Sequence, residues 1–271
     1  RDYSVSANGQ ALGMPAMVTL TGESAFNNSF SASSVLAMAA TGNPGLLEAS
    51  GVEYVEAERL QSVEFGYRGK LSSTFIIDAN IYRNAYENFI STEAVISPYY
   101  GQVGDNGLSI LAIANGDFET YSAYTNADAE VESWGATIGM STKIFKNYDL
   151  SANYTKSMLE FDEELYPDFS TYWNTPEHKI KVQFGNTNIF DNVGFNVAWR
   201  WFSDFYWEST FGNGDVPATH VIDAQINFTI PKLKSTIKIG GANLGSQEYF
   251  TAFGSGFIGQ QYYISWTANN L

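Results

Sequence analysis

The chain has 271 residues with 29 acidic and 14 basic side chains, a formal charge of -15, so a phosphate-tracking surface and a general affinity for nucleic acid are excluded. Charged residues make up only 16% and aromatics reach 15%, whereas an average soluble domain is about 25% charged, so aromatic-rich sheet is favoured. Cysteine is absent, which removes disulfide frameworks, thiolate nucleophiles and cysteine metal sites, and no stretch approaches the roughly 18 apolar residues of a membrane-spanning helix.

Residues 1–61 read as one strand followed by a long irregular loop of the same sheet. Tyr3, Val5 and Ala7 alternate with Asp2, Ser4, Ser6 and Asn8. A Gly, Ser and Ala-rich stretch without steady period follows, in which residues 33–40 have the composition of a short helix. The chain opens at Arg1 without a basic-then-apolar leader, which suggests a mature form or a piece of something longer.

Residues 62–271 show a period of two that predicts nine strands. Phe75, Ile77, Ala79 and Ile81 mark one of the first. In 133–144, Trp134, Ala136, Ile138, Met140 and Ile144 alternate with Gly135, Thr137, Gly139, Ser141 and Lys143. Leu150, Ala152 and Tyr154 oppose Ser151, Asn153 and Thr155, and Ile180, Val182 and Phe184 oppose Lys179, Lys181 and Gln183. The pattern continues through Phe195, Val197, Trp199 and Trp201, then Ile222, Ala224, Ile226 and Phe228, then Ile237 and Ile239, and ends on Tyr262, Ile264 and Trp266.

Connection lengths alternate too. Short turns fall at 69–72, 145–148, 190–193 and 231–234, and long loops at about 91–117, 160–174, 205–217 and 246–257. Lys70, Lys143, Lys146, Lys232 and Lys234 sit by the short turns, whereas Glu53, Glu56, Glu58, Asp162, Glu163, Glu164 and Asp168 belong to the long loops. A soluble β-sandwich also alternates, but it would use shorter strands, Greek-key crossovers and protected edges. Aromatics near strand ends, such as Phe145 with Tyr148 and Phe205 with Trp207, fit interfacial girdles instead. The expected fold class is therefore all-β: about ten antiparallel up-and-down transmembrane β-barrel strands, closing alone or within a larger ring, because hydrocarbon offers no partner to an open sheet edge.

Gly240-Gly241-Ala242-Asn243-Leu244, Glu248-Tyr249, Phe257-Ile258-Gly259 and Tyr262-Tyr263-Ile264-Ser265 resemble the C-terminal strands of TonB-dependent outer-membrane receptors, the Bacteroidetes type above all. Val63-Glu64-Phe65-Gly66-Tyr67, Tyr82-Arg83-Asn84, Glu132-Ser133-Trp134-Gly135 and Asn174-Thr175-Pro176 occur in matching order, so the resemblance spans about residues 55–271. It departs at Leu271, where the family carries an aromatic. The resemblance implies a 22-stranded barrel in the outer membrane of a Gram-negative bacterium, occluded by an N-terminal plug absent from this sequence. It further implies import of a scarce nutrient such as a siderophore, cobalamin, oligosaccharide or peptide, driven by the TonB complex. The partners implied are outer-membrane lipid, the plug with the remaining strands, TonB, the ligand and a surface lipoprotein. A small self-contained channel and a soluble carbohydrate-binding protein are the alternatives.

No catalytic site or cofactor is expected. His178 and His220 lie on separate strands without a carboxylate at ligand spacing, and no Gly-x-Ser-x-Gly elbow occurs. Asp162-Glu163-Glu164 with Asp168 lacks the ordered spacing of a calcium loop, and Gly104-Asp105-Asn106-Gly107 reads as a turn because no helix pattern follows it. Under the family reading, ligand recognition falls to the loop aromatics Tyr99, Tyr100, Tyr166, Trp173, Trp207 and Phe253, whose flat rings stack at little entropic cost. Glu64, Arg68, Asp78, Lys179, Lys181, Arg200, Asp223 and Lys238 would face the lumen, where their mixed signs suit contact with a plug.

Overall fold

The computed structural model describes residues 2–4, 17–19, 22–105, 107–145 and 147–268. Lys146, Leu271, Asn106 and the Val5 and Ala7 positions of the expected first strand lie outside them. The elements begin with β1 (Asp2–Ser4), β2 (Met17–Thr19), α1 (Ser24–Asn27), β3 (Phe30–Ser31), α2 (Ala32–Thr41), β4 (Arg59–Lys70) and β5 (Ile76–Glu87). Next come β6 (Ile90–Pro98), α3 (Leu108–Asn115), β7 (Phe118–Asn126), β8 (Val131–Ile144), β9 (Tyr148–Glu160) and β10 (Phe169–Ser170). The chain closes with β11 (His178–Phe190), β12 (Val193–Phe202), β13 (Phe205–Trp207), β14 (Gly214–Val216), β15 (Thr219–Ile230), β16 (Ser235–Ala242) and β17 (Gln261–Ala268). They form two compact units, one built from the chain up to residue 60 with 86–131 and 161–172, the other from 61–85, 132–160 and 173–271.

The second unit is a nine-stranded meander in the order β4-β5-β8-β9-β11-β12-β15-β16-β17. Its longest strands, β8, β9 and β11, have 14, 13 and 13 residues, more than the 9 to 11 or so that a tilted strand needs to cross hydrocarbon. Tight reversals join β4 to β5, β8 to β9, β11 to β12 and β15 to β16. At the first of these the Ser72 hydroxyl accepts from the Thr74 and Phe75 amides. At the third, Phe190 pairs with Val193 and Asn192 supplies the left-handed residue at φ 65°.

Register sorts the two faces. Lys181 stands opposite Asn153 on β9 and Arg200 on β12, Ala198 opposite Asp223 on β15, Asn227 opposite Lys238 on β16, and Lys238 opposite Ser265 on β17. The alternate row runs Ile138, Tyr154, Ile180, Trp201 and, three same-face positions along β12, Phe195, Ile226, Ile239 and Ile264. Directly opposed residues share a face, so one side of the sheet is polar and the other apolar across at least seven strands. The apolar side has no second layer on it: Ile138 is 39% exposed, Ile226 47% and Ile264 74%. A sandwich half would bury those side chains.

Ring closure lies beyond the described strands, and two other expectations need correction. Strands β4 and β17 stand at opposite ends of the sheet, so among the described residues no closed ring of ten or of 22 strands is present. Closure depends on tilt and stagger, which alternation does not encode. The expected tenth strand does not join the meander either, since β1 pairs with β2 in a separate two-stranded sheet. Secondly, the stretch 91–117 is not a loop: β6 and α3 fill most of it, and β7 pairs along the whole of β6 from Ile90↔Asn126 to Pro98↔Phe118.

That hairpin is the centre of the first unit. β3 and β10 pair along its other edge, and Ala25, Val52, Val95 and Ala123 form one small core while Phe30, Val35, Ile96 and Ile113 form another. Helix α2 covers the span 33–40 where a short helix is expected and extends it by one residue at each end. It starts where the Ser31 side chain accepts from the Ser34 amide and ends on Gly42 at φ 71°, a left-handed position suited to glycine.

Candidate functional site

Each unit carries a concavity built from its long connections. In the first, a cleft of about 500 Å³ is lined by the segment 48–54 with Glu56, by Glu93 of β6, by 125–128 and by 165–169. Six carboxylates face it, from Glu48, Glu53, Glu56, Glu93, Asp128 and Asp168, and no Lys, Arg or His is among its described lining residues. Hydrogen bonds fix its walls. The Asp168 carboxylate accepts from the Ser33 amide and hydroxyl, both at 2.7 Å, in the first turn of α2, where the helix dipole favours an anion. The Asn126 amide donates to the carbonyls of Glu56 and Asn88 and accepts from the Glu56 amide. Burial, with the nearby charges of Asp168 and Asp128, pushes the Glu93 carboxyl up to about 7.

The second unit holds a pocket of about 310 Å³ at the end of the sheet where the long connections arise. Its floor is the polar face of β11 and β12, presenting Lys179, Lys181 and Phe202. The β13–β14 hairpin adds Phe205 and Val216, the 249–251 segment adds Tyr249 and Phe250, and Asn174 and Pro176 close it. The wall segments are tied down. Asn174 exchanges two hydrogen bonds with the Glu208 backbone at 2.9 and 2.8 Å, Tyr249 bridges Ile258, and Phe250 meets Phe257 edge-on with 5.5 Å between centroids.

The sequence-designated aromatics scatter among these features. Tyr166 lines the acidic cleft and packs on Phe161. Tyr100 is only 5% exposed and sits in a small core with Ala112, its hydroxyl donating to Asp117 at 3.0 Å and accepting from Asn115 at 3.1 Å. Tyr99 packs beside it and donates to Glu119 at 3.3 Å. Trp173 is half-buried, its carbonyl accepting from the Thr175 amide. Trp207 leans on Phe205, and Phe253 lies against Gly214, where an added Cβ would come within 2.3 Å of the ring. None of these last three lines the pocket, whose rings are Phe202, Phe205, Tyr249 and Phe250. Sequence reasoning does not single out these four as ligand contacts, although Phe205 belongs to the same aromatic run as Trp207.

The mixed-sign row is largely self-paired. Arg68 meets Asp78 at 3.5 Å, Glu64 accepts from Asn80, and Arg200 meets Asp223 at 2.7 Å while the Asn243 amide donates to the other Asp223 oxygen. Lys238 lies on the same polar face. Lys179, Lys181 and Lys238 have no ion-pair partner among the described residues, and of these Lys179 and Lys181 line the pocket.

Two expectations about other chemistry change in their reasons. His178 does meet a carboxylate, Glu177, at 3.3 Å, while its Nδ1 is engaged by the Tyr154 hydroxyl at 2.8 Å. Among the described residues no three His, Asp or Glu side chains gather as a metal site. A helix, α3, does follow Gly107, yet the Asp105 carboxylate takes up the Gly107 and Ser109 amides at its start and the Gln102 amide. Although burial opposes it, this set of hydrogen bonds holds the Asp105 carboxyl below its usual range, and the anion position is filled by the protein's own side chain.

No curated protein sequence matches the chain. Among solved structures it is similar to the copper transporter OprC, at 12% identity and TM-score 0.56 over 79% of this chain and 31% of that one. It is likewise similar to the ferripyoverdine receptor of the outer membrane of Pseudomonas aeruginosa, at 13% identity and TM-score 0.55 over 79% and 27%. The FrpB iron transporter from Neisseria meningitidis gives 10% identity and TM-score 0.55 over 78% and 30%. The chain thus spans about 30% of the length of the structures it matches, and at these identities the likeness shows the fold. Residues 9–244 match the family described as TonB dependent receptor-like, beta-barrel. The chain therefore belongs to the TonB-dependent receptor-like β-barrel family.

Proposed function

We propose that this chain is the C-terminal portion of the barrel of a TonB-dependent receptor that imports a scarce nutrient across the outer membrane of a Gram-negative bacterium. The observation that carries the reading is the nine-stranded meander with one polar and one uncovered apolar face, in a chain of this family. It is a transport component and not an enzyme. Its neighbours in the complete receptor are lipid on the apolar face, further strands beyond β4 and β17 that complete a 22-stranded ring, and a plug on the polar face that engages TonB. The names of similar structures, among them an iron transporter and a copper transporter, favour a metal chelate as cargo over a sugar or peptide. A Bacteroidetes origin, with a surface lipoprotein as cap, follows from the sequence resemblance. The test is uptake by cells carrying the full-length gene, with and without functional TonB. Accumulation of a labelled metal chelate only when TonB is present supports the reading; recovery of the full-length protein in the aqueous phase without detergent overturns it.

A further inference from the structure

The pocket of the second unit concentrates positive charge in a chain whose overall charge is -15. Lys179 and Lys181 both line it, on the polar face of β11. The residues opposite them are no source of neutralisation: Thr155 and Asn153 on β9, and Phe202 and Arg200 on β12. Arg200 is itself a cation whose charge is met by Asp223. The nearby Glu177 carboxylate is engaged by Lys156 at 3.1 Å and by His178. Lys181 stands directly opposite Arg200, and Asp223 meets the Arg200 charge, so no described carboxylate is left to pair with Lys181. The ammonium groups of half-buried Lys179 and exposed Lys181 together offer six N–H donors, and aromatic rings form the remaining wall.

We propose that this pocket binds a small carboxylate-bearing ligand with a flat apolar body, its anionic oxygens held by Lys179 and Lys181 and its flat face packed among Phe202, Phe205, Tyr249 and Phe250. The volume, about 310 Å³, is at the low end of small-molecule sites and suits one ring with its substituents. The rings recognise the body of such a ligand by area and edge-to-face contact, while the lysines distinguish it from a neutral isostere. The site deepens the nutrient-import reading by giving the cargo, or one arm of it, a negative charge.

The experiment uses the detergent-solubilised full-length receptor and two probes of one shape, benzoate and benzamide, titrated by saturation-transfer NMR. Benzoate is expected to bind about threefold or more tightly than benzamide, chiefly from the ion pair at half-buried Lys179, and to weaken as NaCl rises from about 0.05 to 0.3 M. The double variant K179Q/K181Q, checked for folding by heat-modifiable gel mobility, is expected to abolish the preference. Equal affinities in the native receptor, or a preference that survives in the double variant, overturns the proposal. Absence of benzoate binding also overturns it, because another part of the receptor then already occupies the lysines. A receptor that discriminates the two probes yet takes up nothing in a TonB-dependent manner would sink the import reading and leave this site standing.

Discussion

Placing Arg at Ile226 or at the next residue, Asn227, isolates which solvent each face of the sheet meets. Ile226 is 47% exposed, pairs with Phe195 and Ile239, and lies in the apolar row of β15. It is the eighth of the 12 residues of that strand. At about 3.4 Å per residue and a tilt near 45°, that puts it within roughly 4 Å of the strand's mid-height. Arg on a lipid-facing position near the midplane costs about 2 to 4 kcal/mol. Asn227 faces the other way, opposite Lys238, so Arg there meets water and a like charge across the ladder, with an expected cost of about 1 kcal/mol or less. Urea-dependent folding of the full-length receptor into lipid vesicles, followed by heat-modifiable gel mobility, reads both. Ile226→Arg is expected to lower the midpoint clearly and Asn227→Arg only slightly. Equal shifts, or a larger one at Asn227, would refute the facing assignment.

The remaining predictions concern the connections. Because the Glu93 carboxyl is raised to about 7, it favours the folded first unit fully below the unfolded-chain value of 4.5, and that contribution fades as pH rises and is gone above about 7. Hydrogen exchange of 161–172, corrected for intrinsic rate, should therefore speed up between pH 5.5 and 8, and Glu93→Gln should flatten the profile; an unchanged slope in that variant counts against it. Tyr100→Phe removes the hydroxyl shared by Asp117 and Asn115 and should destabilise 99–117 by about 1 to 3 kcal/mol by hydrogen exchange. A loss of ligand affinity with unaltered exchange would instead make Tyr100 a binding residue. Gly214→Ala should expel the Phe253 ring and expose the 250–255 segment to protease, with a strain of about 1 to 3 kcal/mol. If cleavage there does not change, the packing of Phe253 on the hairpin is not what orders that segment.

The strands of the meander were legible because each has one wet and one greasy side, which writes period two directly into β8, β9, β11, β12 and β15. β6 escaped notice for the opposite reason. Ser91, Thr92, Val95, Ile96 and Ser97 are all buried, so both faces of the strand are covered and alternation vanishes. Eight residues of α3, rich in Leu, Ile and Ala, are too few for a helical period to stand out from a buried strand. The candidate pocket was only half legible. Alternation puts Lys179 and Lys181 on one face of their strand, but the rings beside them come from β12, β13 and the 249–251 segment, which only the three-dimensional fold brings together. Loop aromatics were sought in mid-loop, whereas Tyr100 turned out to be core and Phe202 and Phe205 sit at strand ends. Ring closure was illegible in principle, since a side-chain alternation fixes faces and not curvature.

The central claim is that the apolar row of the meander lies against acyl chains, and spin labels along β15 test it most directly. This chain has no cysteine of its own, so single cysteine substitutions from Ile222 to Phe228, in a full-length receptor with any cysteines elsewhere replaced by serine, give defined sites. Labels at Ile222, Ala224, Ile226 and Phe228 should collide with dissolved oxygen, and labels at Asp223, Gln225 and Asn227 with a water-soluble nickel chelate. Loss of that alternation, or water accessibility on both sides of the strand, would contradict the account.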